Sequence, residues 1–281
     1  MSNAGFIDGA SVLDRCKQML DLKFSILLIG PPGSGKTTLA ETLSAETNGL
    51  TTTIGGDLIP SDLLGQWTLK DGHTVWQDGL LVSAMLQGKT FFLDEIAETP
   101  ASTLKVLHSL LDHRRQVIVP AVSRTITASE EFRFIAAMNP ETSSVSSLPR
   151  AFRDRMVFVR VPRLSRDNER ALLCHRHQVD DGIAEKLIRI AEVTRRIAKS
   201  DGASTRQLVN AAIAISGGID FETASSECIL MPITVLNPEV GRAIDDVLHA
   251  EGWSKLVRVN SHEVREQPEP FGEFINDEVY A

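Results

Sequence analysis

The sequence predicts an α/β domain, a parallel five-stranded sheet sandwiched by helices, followed by an all-helical domain. Short apolar segments of strand length alternate with helical segments up to about residue 162, and this alternation indicates a parallel sheet with both faces covered. From there to about residue 250 only helical patterns follow. Three of the strand segments end in a glycine-rich loop, two carboxylates or an asparagine.

Five segments are predicted to be strands because they are short and rich in apolar or β-branched residues. They span residues 24–29, 50–54, 91–93, 132–138 and 156–161. Helices are expected after the first strand and after Thr99-Pro100, where Pro100 takes the first helical position. Further helices are expected at 166–178, 182–198, 205–216, 221–229 and 238–249. The predicted organisation is therefore an α/β domain at 1–162, a helical domain at 163–250 and a tail at 251–281.

Two inserts interrupt the α/β pattern, and both are predicted to be hairpins. The first, near 63–81, has the turn signal Asp71-Gly72 between Trp67 and Trp76. The second, near 115–127, has Pro120 near its turn. Hairpins of this kind can simply cover the sheet, but exposed large apolar residues are more often contact surfaces.

Composition excludes several functional classes. With 42% hydrophobic and 23% charged residues the chain is typical of a soluble globular protein, and its net charge of −8 argues against a generally basic nucleic-acid-binding surface. No apolar run reaches the ~18–20 residues of a membrane span. Three scattered cysteines predict neither a disulfide framework nor a zinc site, and they fit a reducing cytoplasm. The tail has seven acidic and three basic residues, which predicts a partly extended or loosely docked segment.

The segment GPPGSGKT, residues 30–37, matches the phosphate-binding pattern G-x-x-x-x-G-K-[ST] between a predicted strand and a predicted helix. Its glycines let the backbone curl, so that N–H groups and the helix N-terminus face phosphate oxygens. Lys36 is expected to reach the β- and γ-phosphates, and the hydroxyl of Thr37 is expected to bind Mg²⁺. The predicted ATP-binding residues are Gly30, Pro31, Pro32, Gly33, Ser34, Gly35, Lys36, Thr37 and Thr38.

Two further predicted strands, 91–93 and 132–138, are followed by polar residues that could take part in a reaction. Asp94 is expected to hold Mg²⁺ through its water shell, and Glu95 to act as a general base toward water. The alternative for this pair is an acidic turn at a strand end. The amide of Asn139 could bind the γ-phosphate or the attacking water, although Asn-Pro taken alone is a turn signal.

Arginines stand out at two further places. Arg206 lies in the first turn of a helix that Ser204 is expected to cap, where a cation opposes the helix dipole. A bound phosphate would compensate, and an exposed arginine without a ligand is the alternative. The stretch LPRAFRDRM, residues 148–156, contains Arg150, Arg153 and Arg155, whose planar guanidinium groups suit bidentate contact with phosphate or carboxylate.

The segment CHRH, residues 174–177, raises the question of a metal site. The spacing His-x-His on a helix directs the two rings to different faces, so a shared metal is not predicted.

Together these motifs resemble the AAA+ ATPases: a P-loop, a strand ending in Asp-Glu, a strand ending in Asn, an arginine-bearing helix before the fifth strand, and GASTR in a helical domain. The two inserts resemble those of the helix-2-insert branch. The stretches DLLGQW, VWQDGLL, LDEI, LLDHRR and FRFIAAMNP are most similar to the CbbQ/NorQ group of the MoxR family. The resemblance covers about residues 22–250 and implies a P-loop NTPase sheet with an AAA+ helical lid.

The resemblance also implies roles for individual residues. Asn139 matches the position called sensor 1, and Arg206 matches sensor 2. Arg155 is the best positional match to the arginine finger that reaches a neighbouring subunit's nucleotide, with Arg153 and Arg150 as alternatives. Two departures are Leu80, where proline is usual, and Met156, where phenylalanine is common.

The family further implies partners. Its members act as hexameric rings with inserts that face the pore or the substrate. CbbQ-like proteins reactivate Rubisco and NorQ-like proteins help to mature nitric oxide reductase, in both cases with a protein that carries a von Willebrand factor A domain. A chelatase-type motor subunit is the alternative. A nucleic-acid motor is disfavoured because the first insert has one lysine, Lys70, against Asp71 and Asp78.

Overall fold

The computed structural model of the chain describes residues 11–140, 148–235 and 237–253. The strands in this part of the chain are β1 (Ser25–Ile29), β2 (Leu50–Ile54), β3 (Gly65–Lys70), β4 (His73–Asp78), β5 (Thr90–Asp94), β6 (Gln116–Val119), β7 (Arg124–Thr127), β8 (Arg133–Met138) and β9 (Met156–Arg160). Five of them form one parallel sheet of order β2-β5-β8-β1-β9. All five predicted strands are confirmed, with ends that differ by at most one residue.

Helices cover both faces of this sheet. They are α1 (Val12–Asp21), α2 (Lys36–Ser44), α3 (Pro60–Leu64), α4 (Leu80–Gln87), α5 (Ala101–Leu107) and α6 (Arg150–Arg153). Side chains of β1 alternate between the two faces: Ile26 and Leu28 pack with α1 and α2, whereas Leu27 packs in the core that contains α4 and α5. The predicted α/β sandwich is confirmed.

The helical part of the chain follows β9. It comprises α7 (Arg166–Ala171), a π-helical turn (Leu172–Arg176), α8 (Asp181–Ala198), α9 (Thr205–Ser216), α10 (Phe221–Ser225), a second π-helical turn (Ser226–Leu230), α11 (Met231–Thr234) and α12 (Pro238–Ala250). The helix α8 packs against α7, α9 and α12 around a separate apolar core. Among the described residues no helix has both the length and the apolar character needed to cross a membrane.

Three helix predictions need correction. The segments 166–178 and 221–229 are each interrupted by a π-helical turn, because the spacing of buried leucines such as Leu172 and Leu173 does not distinguish an α turn from a π turn. Pro100 precedes the helix instead of opening it, since its extended ψ leaves its carbonyl to accept the first helical N–H groups, from Thr103 and Leu104. The predicted tail lies outside the described residues from residue 254 onward.

Both predicted hairpins are confirmed. Strands β3 and β4 pair around the Asp71-Gly72 turn, where both residues have positive φ. Strands β6 and β7 pair around a single helical turn that begins at Pro120. The two hairpins are connected by an ion pair between Arg124 and Asp78, with an N–O distance of 3.4 Å.

A buried ion pair organises the helical part. The carboxylate of Glu169 is 1% exposed and accepts two hydrogen bonds from Arg195, at 2.8 and 2.9 Å, and one from the hydroxyl of Thr205 at 2.6 Å. Arg195 also donates to the carbonyl of Ala203 at 2.7 Å, and the N–H of Ala203 donates to Thr194 at 3.0 Å. This network holds the segment that leads into α9.

We expect Glu169→Ala to lower the free energy of unfolding by about 3–5 kcal/mol, because it leaves the Arg195 guanidinium without its buried carboxylate. Urea unfolding followed by circular dichroism measures the loss. Glu185→Ala is the matched control, since Glu185 also pairs with an arginine, Arg166, but on the surface. The control should lose about 1 kcal/mol or less, and equal losses for the two variants would contradict the prediction.

Candidate functional site

A cavity of about 750 Å³ lies at the carboxyl ends of the central strands, between the sheet and the helical part. It is lined by residues of the glycine-rich loop, of the ends of β5 and β8, of the connection after β9, of the π-helical turn and of α9. The lining residues are Pro32, Gly33, Ser34, Gly35, Lys36, Thr37, Thr38, Asp94, Glu95, Ala97, Glu98, Met138, Asn139, Leu164, Leu172, Arg176, His177, Thr205, Arg206 and Val209.

Parallel pairing brings the three predicted strand-end motifs together. Ile29, the last residue of β1, is in register with Met138 of β8, and Leu93 of β5 is in register with Ala136. The glycine-rich loop, Asn139 and Asp94 therefore lie at the carboxyl ends of three adjacent strands, β1, β8 and β5. Open α/β sheets bind their ligands at this end of the strands.

The glycine-rich loop has the curled backbone that the motif predicts. Gly33 and Gly35 have φ values of 72° and 87°, which L-residues with a side chain rarely adopt. The ammonium of Lys36 donates to the carbonyl oxygens of Gly30 and Pro31, at 2.8 and 3.0 Å. The loop thus surrounds the lysine, and it leads directly into the N-terminus of α2. Seven of the nine predicted ATP-binding residues, Pro32 through Thr38, line the cavity.

Thr37 and Asp94 present hard oxygen atoms side by side. The hydroxyl of Thr37 donates to Oδ2 of Asp94 at 3.4 Å, while the backbone N–H of Glu95 holds Oδ1 at 2.9 Å. Hydroxyl and carboxylate oxygens suit Mg²⁺, which commonly takes one or two protein ligands and completes its shell with water and phosphate. These two residues therefore fit the expected magnesium site.

Glu95 extends the same strand end with an unusual backbone. Its φ is +51°, a left-handed conformation that is uncommon for a residue with a side chain. The side chain is exposed and lines the cavity close to the phosphate loop. Backbone strain of this kind concentrates at functional sites.

The start of α9 lies directly against the phosphate loop. A Cβ atom added to Gly33 would lie 3.1 Å from the backbone nitrogen of Arg206 and 3.2 Å from Cβ of Ser204. Ser204 caps the helix as predicted, through a reciprocal pair of hydrogen bonds with Gln207 at 2.7 and 3.3 Å. Arg206, in the first helical turn, therefore lines the cavity on the side opposite the sheet.

The three arginines of residues 148–156 do not line this cavity. Arg150 is highly exposed and forms an ion pair with Asp154 at 3.7 Å. Arg155 is exposed and donates to the carbonyl of Ala151. Arg153 is half-buried, and its Nε has no hydrogen-bond partner among the described residues.

Sequence reasoning missed one wall of the cavity. Leu164, Leu172 and Val209 contribute apolar surface, and Arg176 and His177 contribute polar groups beside it. The only sequence feature that drew attention to this wall was the CHRH segment, residues 174–177, and it was considered only as a metal site. Burial, and then the charge of Arg176, lowers the pKa of His177, which favours its neutral imidazole.

Comparison with known protein families divides the chain at the same place as the fold. The model of the AAA domain, dynein-related subfamily, matches residues 25–156. The CbbQ/NirQ/NorQ C-terminal model matches residues 169–251. The first match contains the phosphate loop and the carboxylates, and the second contains Arg206 and His177.

Individual relatives agree with these matches. The chain is 34% identical to an uncharacterized Staphylococcus haemolyticus protein, SH1500, over 71% of this chain and 81% of the relative. It is 28% identical to the denitrification regulatory protein NirQ of Stutzerimonas stutzeri, over 80% and 83% of the two chains.

Among solved structures, the chain is similar to NtrX of Brucella abortus in complex with ADP. The TM-score is 0.54 with 18% identity, and the match covers 83% of this chain but only 56% of NtrX. This likeness concerns the fold. Taken with the two family matches, the fold and the cavity show that the chain belongs to the AAA+ ATPases, in the CbbQ/NirQ/NorQ group of the MoxR family.

Proposed function

We propose that this ATPase uses ATP hydrolysis to remodel, activate or help to load metal into a client protein complex, together with a separate adaptor that carries a von Willebrand factor A domain. The observation that supports the ATPase part is the single cavity that combines the phosphate loop, the Thr37–Asp94 pair, Glu95 and Arg206. Membership of the family supports the proposal of an adaptor and a client.

In the proposed site, the backbone of residues 30–38, Lys36 and the N-terminus of α2 bind the phosphates of ATP. Thr37 and Asp94 would hold Mg²⁺, which would supply positive charge to offset the charge of the phosphates. Arg206 contacts the γ-phosphate from the helical side, which compensates its unfavourable place in the first turn of α9.

We propose that Glu95 activates the attacking water. Its carboxylate accepts a proton while the water oxygen bonds to the γ-phosphorus and the bond to the β,γ-bridging oxygen breaks, so that ADP leaves. Asn139 follows the adjacent strand and lines the same cavity, which supports the proposal that its amide orients this water or the γ-phosphate.

We propose that Arg155 completes the site of a neighbouring subunit in a hexameric ring. Support comes from its position: Arg155 is exposed and outside the cavity of its own chain, where Arg206 already supplies a guanidinium. Arg150 and Arg153 lie on α6, which ends two residues before Arg155, and they are also outside the cavity. They are the alternatives for this role.

The two hairpins are the proposed contact with the adaptor or client. Trp67, Leu69 and Ile118 are 56%, 77% and 62% exposed, although each is a large apolar residue. Trp67 packs edge-on against Trp76, which stiffens the first hairpin. Because NirQ is named a denitrification regulatory protein, a nitric oxide reductase is the first client to examine, and Rubisco is the second.

We expect Glu95→Gln to lower the rate of ATP hydrolysis about 10²–10⁴-fold while ATP binding persists, because the amide cannot accept the proton of the attacking water. Phosphate release measures hydrolysis, and equilibrium titration with ATP measures binding. Glu130→Gln, an exposed substitution away from the cavity, serves as the matched control and should hydrolyse ATP at the normal rate. A Glu95→Gln protein with ordinary turnover would remove Glu95 from this role.

We expect Arg155→Ala to lower hydrolysis by about 10³–10⁵-fold with nucleotide binding intact, because the arginine acts on the next subunit. For the same reason, wild-type activity per subunit should rise with protein concentration. Mixing Arg155→Ala with Lys36→Ala chains tests whether Arg155 acts in trans. A mixed ring contains sites in which an intact phosphate loop meets an intact Arg155 from the neighbouring chain, so hydrolysis should partly recover. No recovery on mixing, or full turnover by strictly monomeric wild-type protein, would exclude a role in trans.

We expect Leu69→Ser to leave basal ATP hydrolysis unchanged but to reduce client capture, because it removes apolar surface at the first hairpin. Capture is measured by copurification with an ATP-trapped Glu95→Gln background, followed by mass spectrometry. Leu22→Ser is the control, because Leu22 is equally apolar and 67% exposed but lies after α1. Equal capture by the two variants would argue against the hairpin as the contact surface.

A further inference from the structure

The residue that follows β2, Gly55, is buried and lies directly against the backbone of Glu95. A Cβ atom added to Gly55 would lie 2.4 Å from the hydroxyl oxygen of Thr99 and 2.5 Å from the carbonyl oxygen of Glu95. Both distances are much shorter than van der Waals contact. The φ of Gly55 lies outside the left-handed region, so this position requires the absence of a side chain and not a special backbone conformation.

The two contacts differ in how easily they can yield. The hydroxyl of Thr99 is buried and has no hydrogen-bond partner among the described residues, so its rotation breaks no hydrogen bond. The carbonyl of Glu95 belongs to a left-handed backbone with a φ of 51°, and it accepts a hydrogen bond of 2.9 Å from the N–H of Glu98. Because a strained backbone of this kind persists only where its neighbours hold it, a side chain at Gly55 would act mainly on Glu95.

Gly55 is held in place and cannot retreat from this contact. Its N–H donates to the carbonyl of Asp94 at 2.9 Å, which continues the pairing of β2 with β5. Its own carbonyl accepts a hydrogen bond of 3.3 Å from the N–H of Leu58. The carbonyl of Leu58 in turn accepts one of 2.7 Å from the buried hydroxyl of Thr103 on α5. The turn after β2 is therefore fixed at both ends, and the peptide of Glu95 is the group that would shift.

We propose that Gly55 is a positioning residue for Glu95. With no side chain at this position, Glu95 keeps the left-handed backbone from which its side chain lines the cavity. This inference rests on the proposed role of Glu95 as the base that activates water. Gly55 does not line the cavity, so it acts on hydrolysis through Glu95 and leaves the binding of the phosphates unaltered.

We expect Gly55→Ala to lower the kcat of ATP hydrolysis about 10- to 100-fold, because small displacements of a catalytic group have effects of this size. The KM for ATP and the affinity measured by equilibrium titration with ATP should stay unchanged. Gly56→Ala is the matched control, since a Cβ atom at Gly56 would meet nothing within 4 Å, and it should hydrolyse ATP at the normal rate. Equal rates for the two variants, or a parallel loss of ATP binding in Gly55→Ala, would overturn the inference.

A double-mutant cycle tests whether Gly55 acts through Glu95. In a Glu95→Gln background, Gly55→Ala should cause no further loss of hydrolysis, because the carboxylate that Gly55 positions is already absent. The same fold-loss in both backgrounds would show that Gly55 acts elsewhere, and would overturn this inference while the role of Glu95 stands. Normal hydrolysis by Glu95→Gln alone would instead overturn the proposed function of Glu95.

The combination of Gly55→Ala with Thr99→Ala separates the two contacts. It removes the hydroxyl but leaves the carbonyl of Glu95 at 2.5 Å, and the backbone nitrogen of Thr99, at 3.1 Å, still prevents the added methyl group from moving away. Hydrolysis should therefore stay as slow as in Gly55→Ala, whereas Thr99→Ala alone should be normal. Recovery of the wild-type rate in the combined variant would assign the effect to Thr99 and overturn the inference.

Discussion

The close contact between Gly33 and the start of α9 is the constraint on which the rest of the site depends. A side chain at Gly33 would meet backbone atoms of Thr205 and Arg206 within 3.4 Å, so only glycine lets the phosphate loop and the helical part approach this far. The nucleotide cavity exists because these two parts enclose it. A ligand at the phosphate loop must therefore interact with both of them, and its binding free energy depends on how they are placed.

The helical side of this contact is held by charge. Glu169 and Arg195 are paired away from water, and Thr205, the residue before Arg206, donates to the same carboxylate. A buried pair of this kind contributes little net stability, but it tolerates few alternative arrangements because a broken pair is costly. The network thus makes the start of α9 rigid, and movement of α9 would carry α7 and α8 with it. By thermodynamic linkage, a nucleotide that favours one position of these helices is itself bound more tightly in that position.

The fold and one side of the cavity could be predicted because their signals are local. The glycine pattern around Lys36 and the carboxylates after β5 each lie within a few consecutive residues, and parallel pairing then brings them together. The apolar wall could not be predicted, because Leu164 and Val209 are 45 residues apart in the sequence. The spacing of apolar residues around them also does not distinguish a residue that lines a cavity from one in the core. His177 belonged to a segment that attracted attention only for metal binding. Its approach to the cavity depends on a π turn, which apolar spacing does not reveal.

Each hairpin is connected to the cavity by a short stretch of chain that contains a buried strand of the central sheet. The first hairpin leads through α4 into β5, which ends at Asp94, and the second leads into β8, which ends just before Asn139. The strands β5 and β8 are paired with each other and packed on both faces, so they form a close-packed connection between the hairpins and the cavity. The ion pair between Arg124 and Asp78 couples the two hairpins to each other. In the proposed remodelling function, these two paired strands and this ion pair are the contacts through which the cavity would act on both hairpins.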